Sequence, residues 1–162
     1  MYIKRKVTDT LQTYISLRFP MSQKSRINYR HQATVGIGGN VGDVKRRFEH
    51  LYFAFKRDNR VALLKTSLIL KNPPFGYTEQ ENFFNSIMVI ETSLNAKQFL
   101  AYLMRMEKRF GRKRSFANAP RSLDLDIVFF DDITMNSKQL ILPHPHWYKR
   151  QSVVIPLARL PR

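Results

Sequence analysis

The positions of apolar side chains predict an early strand followed by an amphipathic helix. The run Ala33–Gly39 is mostly small and apolar, which indicates a short buried strand that ends in a glycine turn. Asp43 is suited to cap a helix, because its carboxylate can accept hydrogen bonds from the first turn. The apolar residues of that helix fall at i, i+4, i+7, i+8 and i+11, on one face: Val44, Phe48, Leu51, Tyr52 and Phe55.

The middle of the chain predicts two strands joined by a stiff loop. Val61–Leu70 is rich in β-forming residues and is bounded by charges, so we predict one strand there. Residues 72–76, with the sequence Asn-Pro-Pro-Phe-Gly, indicate a loop, because two prolines cannot donate to a sheet ladder. Phe83–Glu91 is predicted as the second strand.

A second helix and a last long strand follow. Asn95 and Gln98 have the spacing of a capping box, which opens a helix, and Gly111 is suited to end it. One face of this helix is apolar: Phe99, Leu103, Met106 and Phe110. Asp124–Phe130 is the clearest strand of the chain, and from about Ser137 we predict a short strand and loops at the sheet edge.

These elements follow the order β-α-β-β-α-β. That order predicts an α+β fold, a ferredoxin-like βαββαβ sandwich in which an antiparallel sheet carries both main helices on one face. The opposite face of the sheet would then be open for a functional site. Because we find no internal repeat and no linker, we predict a single domain over residues 33–162, preceded by a basic N-terminal extension over residues 1–32.

The N-terminal extension has no clear periodicity. Residues 1–30 hold seven basic side chains against one acidic side chain, that of Asp9. A secretory signal is not expected, because no long apolar stretch lies among them. Three interpretations stay open: a transit peptide, an extension specific to the source, or translation from an upstream start codon, with Met21 as the original start.

The composition is that of a packed globular chain and excludes several classes of protein. Of the 162 residues, 43% are hydrophobic and 25% are charged, which argues against wholesale disorder. No apolar run approaches the roughly 20 residues that a membrane-spanning helix requires, so an integral membrane protein is not expected. The chain has no cysteine, which excludes disulfides, thiolate zinc sites and cysteine nucleophiles and fits a reducing compartment.

The formal net charge of +16 predicts a phosphate-rich partner, such as nucleic acid, a nucleotide or an anionic surface. Besides the extension, residues 111–121 form a basic loop with four basic and no acidic side chains. The basic residues of this loop are Arg112, Lys113, Arg114 and Arg121. Such cations beside a pair of carboxylates are expected where both groups bind a polyphosphate. The small residues of the loop suggest that it is a mobile lid. A solvated loop and a nucleic-acid contact are the alternatives.

The tripeptide at 124–126 supplies that pair of carboxylates. Asp124 and Asp126 project from the same face of a strand, because side chains alternate along it. Two carboxylates about 7 Å apart repel each other unless a cation lies between them. A pair of Mg²⁺ ions that share oxygens with the phosphates of a nucleotide would meet this need. The alternative is a solvated strand face balanced by Arg121.

Weaker signals come from three other places. The glycine-rich segment 36–42 lacks the ending of a Walker A loop and has Val41 where a dinucleotide-binding motif needs glycine, so we predict only a tight turn. Phe83 and Asn85 would offer a stacking ring and an amide to a heterocycle, although core packing also explains Phe83. The imidazole of His144 is available to phosphate or ribose, whereas a zinc site lacks a third neutral ligand.

These motifs resemble those of the 6-hydroxymethyl-7,8-dihydropterin pyrophosphokinases of folate biosynthesis over roughly residues 34–158. The most specific part of the resemblance is the sequence Pro-Arg-Ser-Leu-Asp-Leu-Asp-Ile at residues 120–127. Further matches are the turn Gly38-Gly39-Asn40, the loop with Pro73, Pro74 and Gly76, the strand around Asn85, Glu107 before Gly111-Arg112, and Pro143-His144.

The resemblance implies an enzyme that transfers pyrophosphate from ATP to the pterin hydroxymethyl group and releases AMP. The substrate hydroxyl attacks the β-phosphorus, so no protein nucleophile is needed. By motif position, the implied catalytic residues are Arg112, Arg121, Asp124 and Asp126, of which the two aspartates bind two Mg²⁺ ions. The implied pterin pocket comprises Asn72, Pro73, Pro74, Phe75, Phe83 and Asn85. The implied ATP contacts are Glu107, Arg112, Arg114, Ile127, His144 and Arg150. A cytoplasmic monomer without nucleic-acid or membrane partners is also implied.

Three features depart from the family's pattern. The basic loop is one residue shorter than is usual, and Ala117 and Asn118 stand where an Arg-Trp pair is common. Ser152 stands where an aromatic ring commonly covers the pterin, so we expect weaker pterin binding unless Trp147 or Val153 compensates.

The alternative function is an RRM-like RNA-binding module without catalysis. Such a module shares the βαββαβ order, an open sheet face and often a basic surface. Two observations speak against it: residues 83–87 do not match the RNP1 pattern, and two aspartates on the sheet face would repel RNA phosphates. A fused bifunctional folate enzyme is not expected at this length.

Overall fold

The computed structural model describes residues 1–25, 27–113 and 116–162. These ranges contain ten strands, three α-helices and a short 3-10 helix, Trp147–Lys149. The strands are β1 (Ile3–Lys6), β2 (Gln12–Ile15), β3 (Met21–Ser22), β4 (His31–Gly39), β5 (Val61–Thr66), β6 (Ile69–Asn72), β7 (Phe83–Thr92), β8 (Asp124–Phe130), β9 (Met135–Asn136) and β10 (Ile141–Leu142). The helices are α1 (Val44–Lys56), α2 (Ala96–Arg109) and α3 (Gln151–Ala158). No helix in these ranges combines the length and apolarity needed to cross a bilayer.

Most of the strands belong to one antiparallel sheet. Among the described residues this sheet has eight strands, in the order β1-β2-β6-β7-β4-β8, with β5 also beside β7 and β3 beside β5. Every pairing in it is antiparallel. β9 and β10 form a separate two-stranded sheet. The predicted α+β class with an antiparallel sheet is therefore confirmed.

The prediction of one strand over residues 61–70 is wrong, because two strands form there. β5 pairs with the second half of β7 and β6 with its beginning. Ser67 separates them: its backbone N–H donates to the Ile87 carbonyl and its hydroxyl accepts from the Ile87 N–H, each at 2.8 Å. The residues at this break, Lys65, Thr66 and Ser67, are polar, but they include no glycine or proline that would signal a turn.

Both long helices begin at the predicted caps and bury their apolar faces in one core. Asp43 accepts a hydrogen bond from the Arg46 N–H at the start of α1. Asn95 and Gln98 form the predicted capping box of α2, and Gly111 follows that helix with a φ of +82°. The residues of α1 that are buried are the five that its spacing predicted: Val44, Phe48, Leu51, Tyr52 and Phe55.

The last part of the chain departs in part from its prediction. The short strand predicted after about Ser137 forms as β10, but the helix α3, which packs against β6 and β7, was not predicted. The β-branched run Val153–Ile155 and the internal Pro156 disguise this helix, because both disfavour helical structure. Val153 lines a small cavity together with Gly36 and Asp126, so α3 covers part of the sheet face that we expected to be open.

The residues before the predicted domain add strands to its sheet. β2 pairs with β6, β1 pairs with β2, and β3 pairs with β5. Tyr14 and Phe19 belong to the same hydrophobic core as α1 and α2, and Phe19 is fully buried. The boundary at residue 33 stays a prediction, and in the structure the residues on its two sides share one sheet and one core.

Candidate active site

Strand β8 presents two carboxylates to the sheet face opposite the long helices. Asp124 and Asp126 point to this face, whereas Leu123, Leu125 and Ile127 are buried in the core. The alternation predicted for this strand is confirmed. Ile127, implied as an ATP contact, offers only its backbone to the carboxylate face, because its side chain packs among core residues.

Two glycines of β4 leave room beside these carboxylates. Gly36 is paired with Asp126 and Gly38 with Asp124 across the ladder between β4 and β8. A Cβ atom at Gly38 would lie 2.6 Å from Oδ1 of Asn85, which is closer than real Cβ contacts come. The sequence predicted a turn for this segment, and the structure adds that its glycines keep the space between Asp124 and Asn85 free.

The arginines of the basic loop are paired with the carboxylates. Nη1 of Arg112 lies 2.5 Å from Oδ1 of Asp124 and 2.5 Å from Oε2 of Glu107. Nη1 of Arg121 lies 3.1 Å from the other carboxylate oxygen of Asp124. Glu107 is buried, and its Oε2 also accepts a hydrogen bond from the Leu125 N–H at 2.9 Å. Glu107, implied as an ATP contact, therefore holds Arg112 and the start of β8 together.

Asp126 is not paired with an arginine in the way that Asp124 is. Among the described residues it forms no ion pair within 4 Å, and burial together with the negative charges of Asp124 and Glu107 raises its pKa to about 7. A carboxylate in such a field is stabilised by a bound cation. No group of three or more His, Cys, Asp or Glu residues with metal-binding geometry occurs in the part of the chain that is described. A cation at Asp124 and Asp126 would therefore complete its shell with water or ligand oxygens.

A cavity of about 470 Å³ adjoins the carboxylates. Its lining includes all the residues predicted for a pterin pocket: Asn72, Pro73, Pro74, Phe75, Phe83 and Asn85. Arg121 and Asp124 line the same cavity, and so do Arg150 and Ser152 of the segment that leads into α3. The structure thus brings the predicted ring pocket and one of the predicted metal ligands into one space.

Hydrogen bonds and rings fix the walls of this cavity. Nδ2 of Asn85 donates to Oδ1 of Asn72 at 2.7 Å, which joins the end of β6 to β7. The guanidinium carbon of Arg121 lies 5.5 Å from the centre of the Phe83 ring, within the range of a cation–π contact. Phe75 is largely exposed, so its ring face is accessible. The cavity therefore combines amide groups with aromatic faces, which suits a flat heterocycle.

Three loops around the site are tied together by amides that sequence reasoning missed. Asn40 accepts from the Arg121 N–H at 2.9 Å and donates to Oε1 of Gln80 at 2.8 Å. Nε2 of Gln80 donates to the carbonyl of Asn118 at 2.8 Å. These bonds connect the glycine turn, the loop after β6 and the basic loop. Nothing in the spacing of Gln80 or Asn118 signals this role.

Arg47 is a second residue that the sequence did not single out. It lies on the polar face of α1, where its position resembles that of any solvated arginine. In the structure its Nη1 donates to the carbonyls of Val41 and Ser122, at 2.6 and 2.8 Å. Arg47 thus clamps the glycine turn to the residues that immediately precede β8.

The remaining predicted residues lie near the second carboxylate. His144 and Arg150 line a cavity of about 70 Å³ together with Asp126. Burial and the positive charge of Arg150 lower the pKa of His144, so its imidazole is neutral near pH 7. Its Nδ1 is buried and has no hydrogen-bond partner within the described residues. Arg114, predicted to contact ATP, lies outside the described residues.

Comparisons with known proteins agree over most of the chain. The model of the family described as 7,8-dihydro-6-hydroxymethylpterin-pyrophosphokinase (HPPK) matches residues 34–162. A 2-amino-4-hydroxy-6-hydroxymethyldihydropteridine pyrophosphokinase of Helicobacter pylori is 39% identical over 142 residues, which cover 86% of this chain and 87% of the relative. The protein of the same name from Campylobacter jejuni is 37% identical over 142 residues, with coverages of 88% and 90%. That of Bacillus subtilis is 34% identical over 128 residues, with coverages of 79% and 77%.

Proposed function

The chain belongs to the 7,8-dihydro-6-hydroxymethylpterin-pyrophosphokinase family, and we propose that it transfers pyrophosphate from ATP to the hydroxymethyl group of 6-hydroxymethyl-7,8-dihydropterin in folate biosynthesis. The observation that carries this proposal is the continuity of the site. One cavity has amides and rings at one end and Asp124 with Arg121 at the other. A pterin held there has its reacting end directed towards the groups that handle phosphate.

On the pterin side, we assign recognition to Asn72, Pro73, Pro74, Phe75, Phe83 and Asn85. The two amides would pair with the hydrogen-bonding edge of the pterin, and the rings would cover its faces. The bond between Asn72 and Asn85 orients both amides before the ligand arrives, which lowers the entropy cost of binding. Pro73 and Pro74 stiffen the loop that carries Phe75.

On the phosphate side, Asp124 and Asp126 would hold two Mg²⁺ ions. The fit rests on the carboxylate pair and on the raised pKa of Asp126, which a nearby cation would reverse. When bound, the ions would neutralise phosphate charge and orient the triphosphate.

Catalysis by the chain itself would come from alignment and guanidinium charge. The pterin hydroxyl gives up its proton to solvent and its oxygen attacks the β-phosphorus of ATP, the bond from that phosphorus to the α–β bridging oxygen breaks, and its electron pair leaves with AMP. Arg112 and Arg121, which contact Asp124 in the structure, are placed to turn towards the transferring phosphates and stabilise their developing charge. The amides that join the three loops would help to exclude water, which would otherwise compete for the pyrophosphate.

For ATP we assign Glu107, Arg112, Arg114, Ile127, His144 and Arg150. Glu107 would act by holding Arg112, and Ile127 would contribute its backbone, since its side chain lies in the core. The neutral imidazole of His144 can donate or accept one hydrogen bond to the nucleotide.

We also propose a detailed fold topology, a cellular location and an oligomeric state for the enzyme. The order of β4, α1, the β5–β6 pair, β7, α2 and β8, with β6-β7-β4-β8 across the sheet, supports a ferredoxin-like βαββαβ sandwich. We further propose that the enzyme acts in the cytoplasm as a monomer, with residues 1–32 as an N-terminal extension of the catalytic domain. The RRM-like alternative has no support from the family match or from the relatives.

The test measures the adenine nucleotide released from Mg-ATP in the presence of 6-hydroxymethyl-7,8-dihydropterin. We expect AMP in amounts equal to the pterin consumed, with strict dependence on both pterin and metal. Asp126→Asn should reduce the rate by roughly 10²–10³-fold or more, because it removes a ligand of the ions. Asp132→Asn, an exposed aspartate in the turn after β8, is the matched control and should keep the wild-type rate. Release of ADP, or RNA binding without turnover, would overturn the proposal.

A further inference from the structure

The strand that carries the start of the pterin loop is short and has neighbours on both sides. β6 has four residues, of which Asn72 is the last, and the prolines follow at once. β7 pairs with one edge of β6 through residues 83–85, and β2 pairs with the other edge through residues 12–14. Without β2, β6 would be an edge strand of the sheet, paired on one side only. The strand that leads to Asn72 is therefore held on its second edge by the N-terminal segment (residues 1–32).

A lysine and three rings join the same segment to β7. Nζ of Lys45, on α1, lies 4.1 Å from the centre of the Tyr14 ring, 5.0 Å from that of Tyr2 and 5.6 Å from that of Phe84. The Tyr14 and Phe84 rings themselves lie 5.7 Å apart. A cation among ring faces is attracted to each of them, more strongly where water is partly excluded. We refer to Lys45, Tyr2, Tyr14 and Phe84 as the aromatic cage.

The aromatic cage lies directly behind the proposed pterin wall. Phe84 stands between Phe83 and Asn85 on β7, and its side chain points to the helix side of the sheet while theirs point into the cavity. Within β6, Lys71 pairs with Phe84 on one side and with Gln12 on the other. A shift of Phe84 therefore moves the two residues that would contact the pterin.

Further bonds anchor the N-terminal segment to α1. The Tyr2 hydroxyl donates to the Lys45 carbonyl at 3.1 Å and to Oε1 of Glu49 at 3.2 Å. Ser16 and Arg18 donate to the same carboxylate at 3.2 and 3.3 Å. The segment is thus attached along α1 and does not rest on the strand ladder alone.

We propose that β1, β2 and the aromatic cage form a positioning element for the pterin side of the active site. β2 holds the free edge of β6, and the aromatic cage holds the start of β7 on the face of the sheet away from the cavity. Asn72, Phe83 and Asn85 thereby keep their arrangement when no pterin is bound. This inference rests on the proposed function, because it assigns a role to that same pocket. It makes the N-terminal segment part of substrate binding, although none of the residues described in that segment lines the cavity.

The test compares binding of the two substrates in full-length variants. Lys45→Met removes the cation that contacts all three rings and keeps the length of the side chain, while Lys71 stays 5.7 Å from the Phe84 ring. Tyr14→Leu removes a ring and keeps an apolar side chain. Lys56→Met is the matched control, since Lys56 is also on α1 and its Nζ lies 5.6 Å from the Tyr52 ring, outside the cage. Calorimetry would give the Kd of 6-hydroxymethyl-7,8-dihydropterin in the presence of Mg²⁺ and α,β-methylene-ATP, which cannot be cleaved at the bond that breaks. The same method would give the Kd of the nucleotide alone.

We expect both cage variants to raise the pterin Kd by roughly three- to tenfold, a change comparable to the contribution of one such contact. Both variants should leave the nucleotide Kd within twofold. Lys45→Arg, which keeps a cation over the rings, should have the wild-type pterin Kd. Lys56→Met should change neither constant. A lowered melting temperature with an unchanged pterin Kd, or equal losses for both ligands, would overturn the inference and leave a purely structural role. If the wild-type chain binds no pterin, the proposed function fails, and this result is distinguishable from the others.

Discussion

The two sides of the proposed active site are built in different ways. The proposed pterin side consists of neutral amides, prolines and rings, and its strands are paired on both edges. The proposed phosphate side consists of charged groups: Arg112, Arg121, Asp124, Asp126 and Glu107. The first side is shaped by backbone ladders, and the second contains the ion pairs.

This difference determines what each end has to do when substrates bind. The amides of Asn72 and Asn85 already hydrogen-bond each other, so the pterin side needs little rearrangement. On the proposed phosphate side, Asp124 neutralises the guanidinium charges of Arg112 and Arg121. In the proposed reaction these arginines would exchange Asp124 for the phosphates of the nucleotide, and Asp124 would bind the metal. Changes to the phosphate side should therefore alter the chemical step, and changes to the pterin side should alter affinity.

Among the variants that compare the two sides, Arg112→Met should have the largest effect, because Arg112 belongs to the phosphate side alone. Loss of one preorganised charge near a transferring phosphoryl group lowers kcat by roughly 10²–10³-fold. The Kd of the pterin should stay within about threefold of the wild-type value, since Arg112 does not line the pterin cavity. Single-turnover kinetics with saturating Mg-ATP would separate the two quantities.

Arg109→Met is the matched control for that variant. Arg109 is an exposed arginine in the last turn of α2, so its replacement changes the net charge by the same amount at a distance from the site. It should leave kcat unchanged. If Arg112→Met weakened pterin binding as much as it slowed turnover, the two ends of the cavity would not be separable.

The sequence predicted those parts of the fold that local chemistry determines. The cap at Asp43, the capping box at Asn95 and the alternation along β8 are each specified by a few neighbouring residues, and all three form as expected. The break at Ser67 and the helix α3 were missed for one reason. Both depend on tertiary contacts that override a local β-like pattern.

Prediction of the site shows the same limit. Asp124, Asp126 and the pterin loop carry their chemistry in short motifs, so they could be found without a structure. Arg47 and Gln80 could not, because their hydrogen bonds reach residues far along the chain, at Ser122 and Asn118. The support that β2 gives to β6 is likewise a long-range pairing, which no spacing within residues 1–32 reveals.

Gly38→Ala should have an intermediate effect, and on the pterin side. The new Cβ atom would lie 2.6 Å from Oδ1 of Asn85, so the Asn85 amide has to move. That movement disturbs its bond to Asn72. Because misplaced polar groups lose a hydrogen bond to the ligand, we expect the pterin Kd to rise by roughly tenfold, with kcat at saturating substrate within about threefold.

Gly36→Ala tests whether this effect is specific to position. Its Cβ would meet only ordinary contacts, the nearest being a Val128 methyl group at 3.7 Å. Equilibrium titration with pterin should give the wild-type Kd for this variant. An equal loss of affinity in both variants would mean that any methyl group on β4 disturbs the pocket, and the argument from Asn85 would be wrong.

The smallest predicted effect concerns the stability of the phosphate side without metal. Burial and neighbouring carboxylates raise the pKa of Asp126 to about 7, from a usual value near 4. Between these values the folded protein binds more protons than the unfolded chain, so the free energy of unfolding falls as pH rises from about 4 to about 7 and stays lower above that. None of the six residues proposed for the pterin pocket is ionisable, so the pterin side should not make the free energy of unfolding depend on pH.

Asp126→Asn should therefore stabilise the metal-free protein above pH 7 even though it slows the proposed reaction. We expect a gain on the order of 1 kcal/mol, since Asp126 keeps some contact with solvent that reduces the cost of its charge. Urea unfolding in EDTA at several pH values between 4 and 8.5 would measure it, with Asp132→Asn as the exposed control. The difference between Asp126→Asn and wild type should be smallest near pH 4, where the carboxyl is protonated in the folded protein and largely so in the unfolded chain, and it should grow up to about pH 7. It should shrink again when Mg²⁺ is added at pH 8, because a bound cation offsets the repulsion that the mutation removes. Parallel curves at all pH values would mean that the charge of Asp126 is already compensated without metal, and the strongest physical reason for a cation at this end of the cavity would be lost.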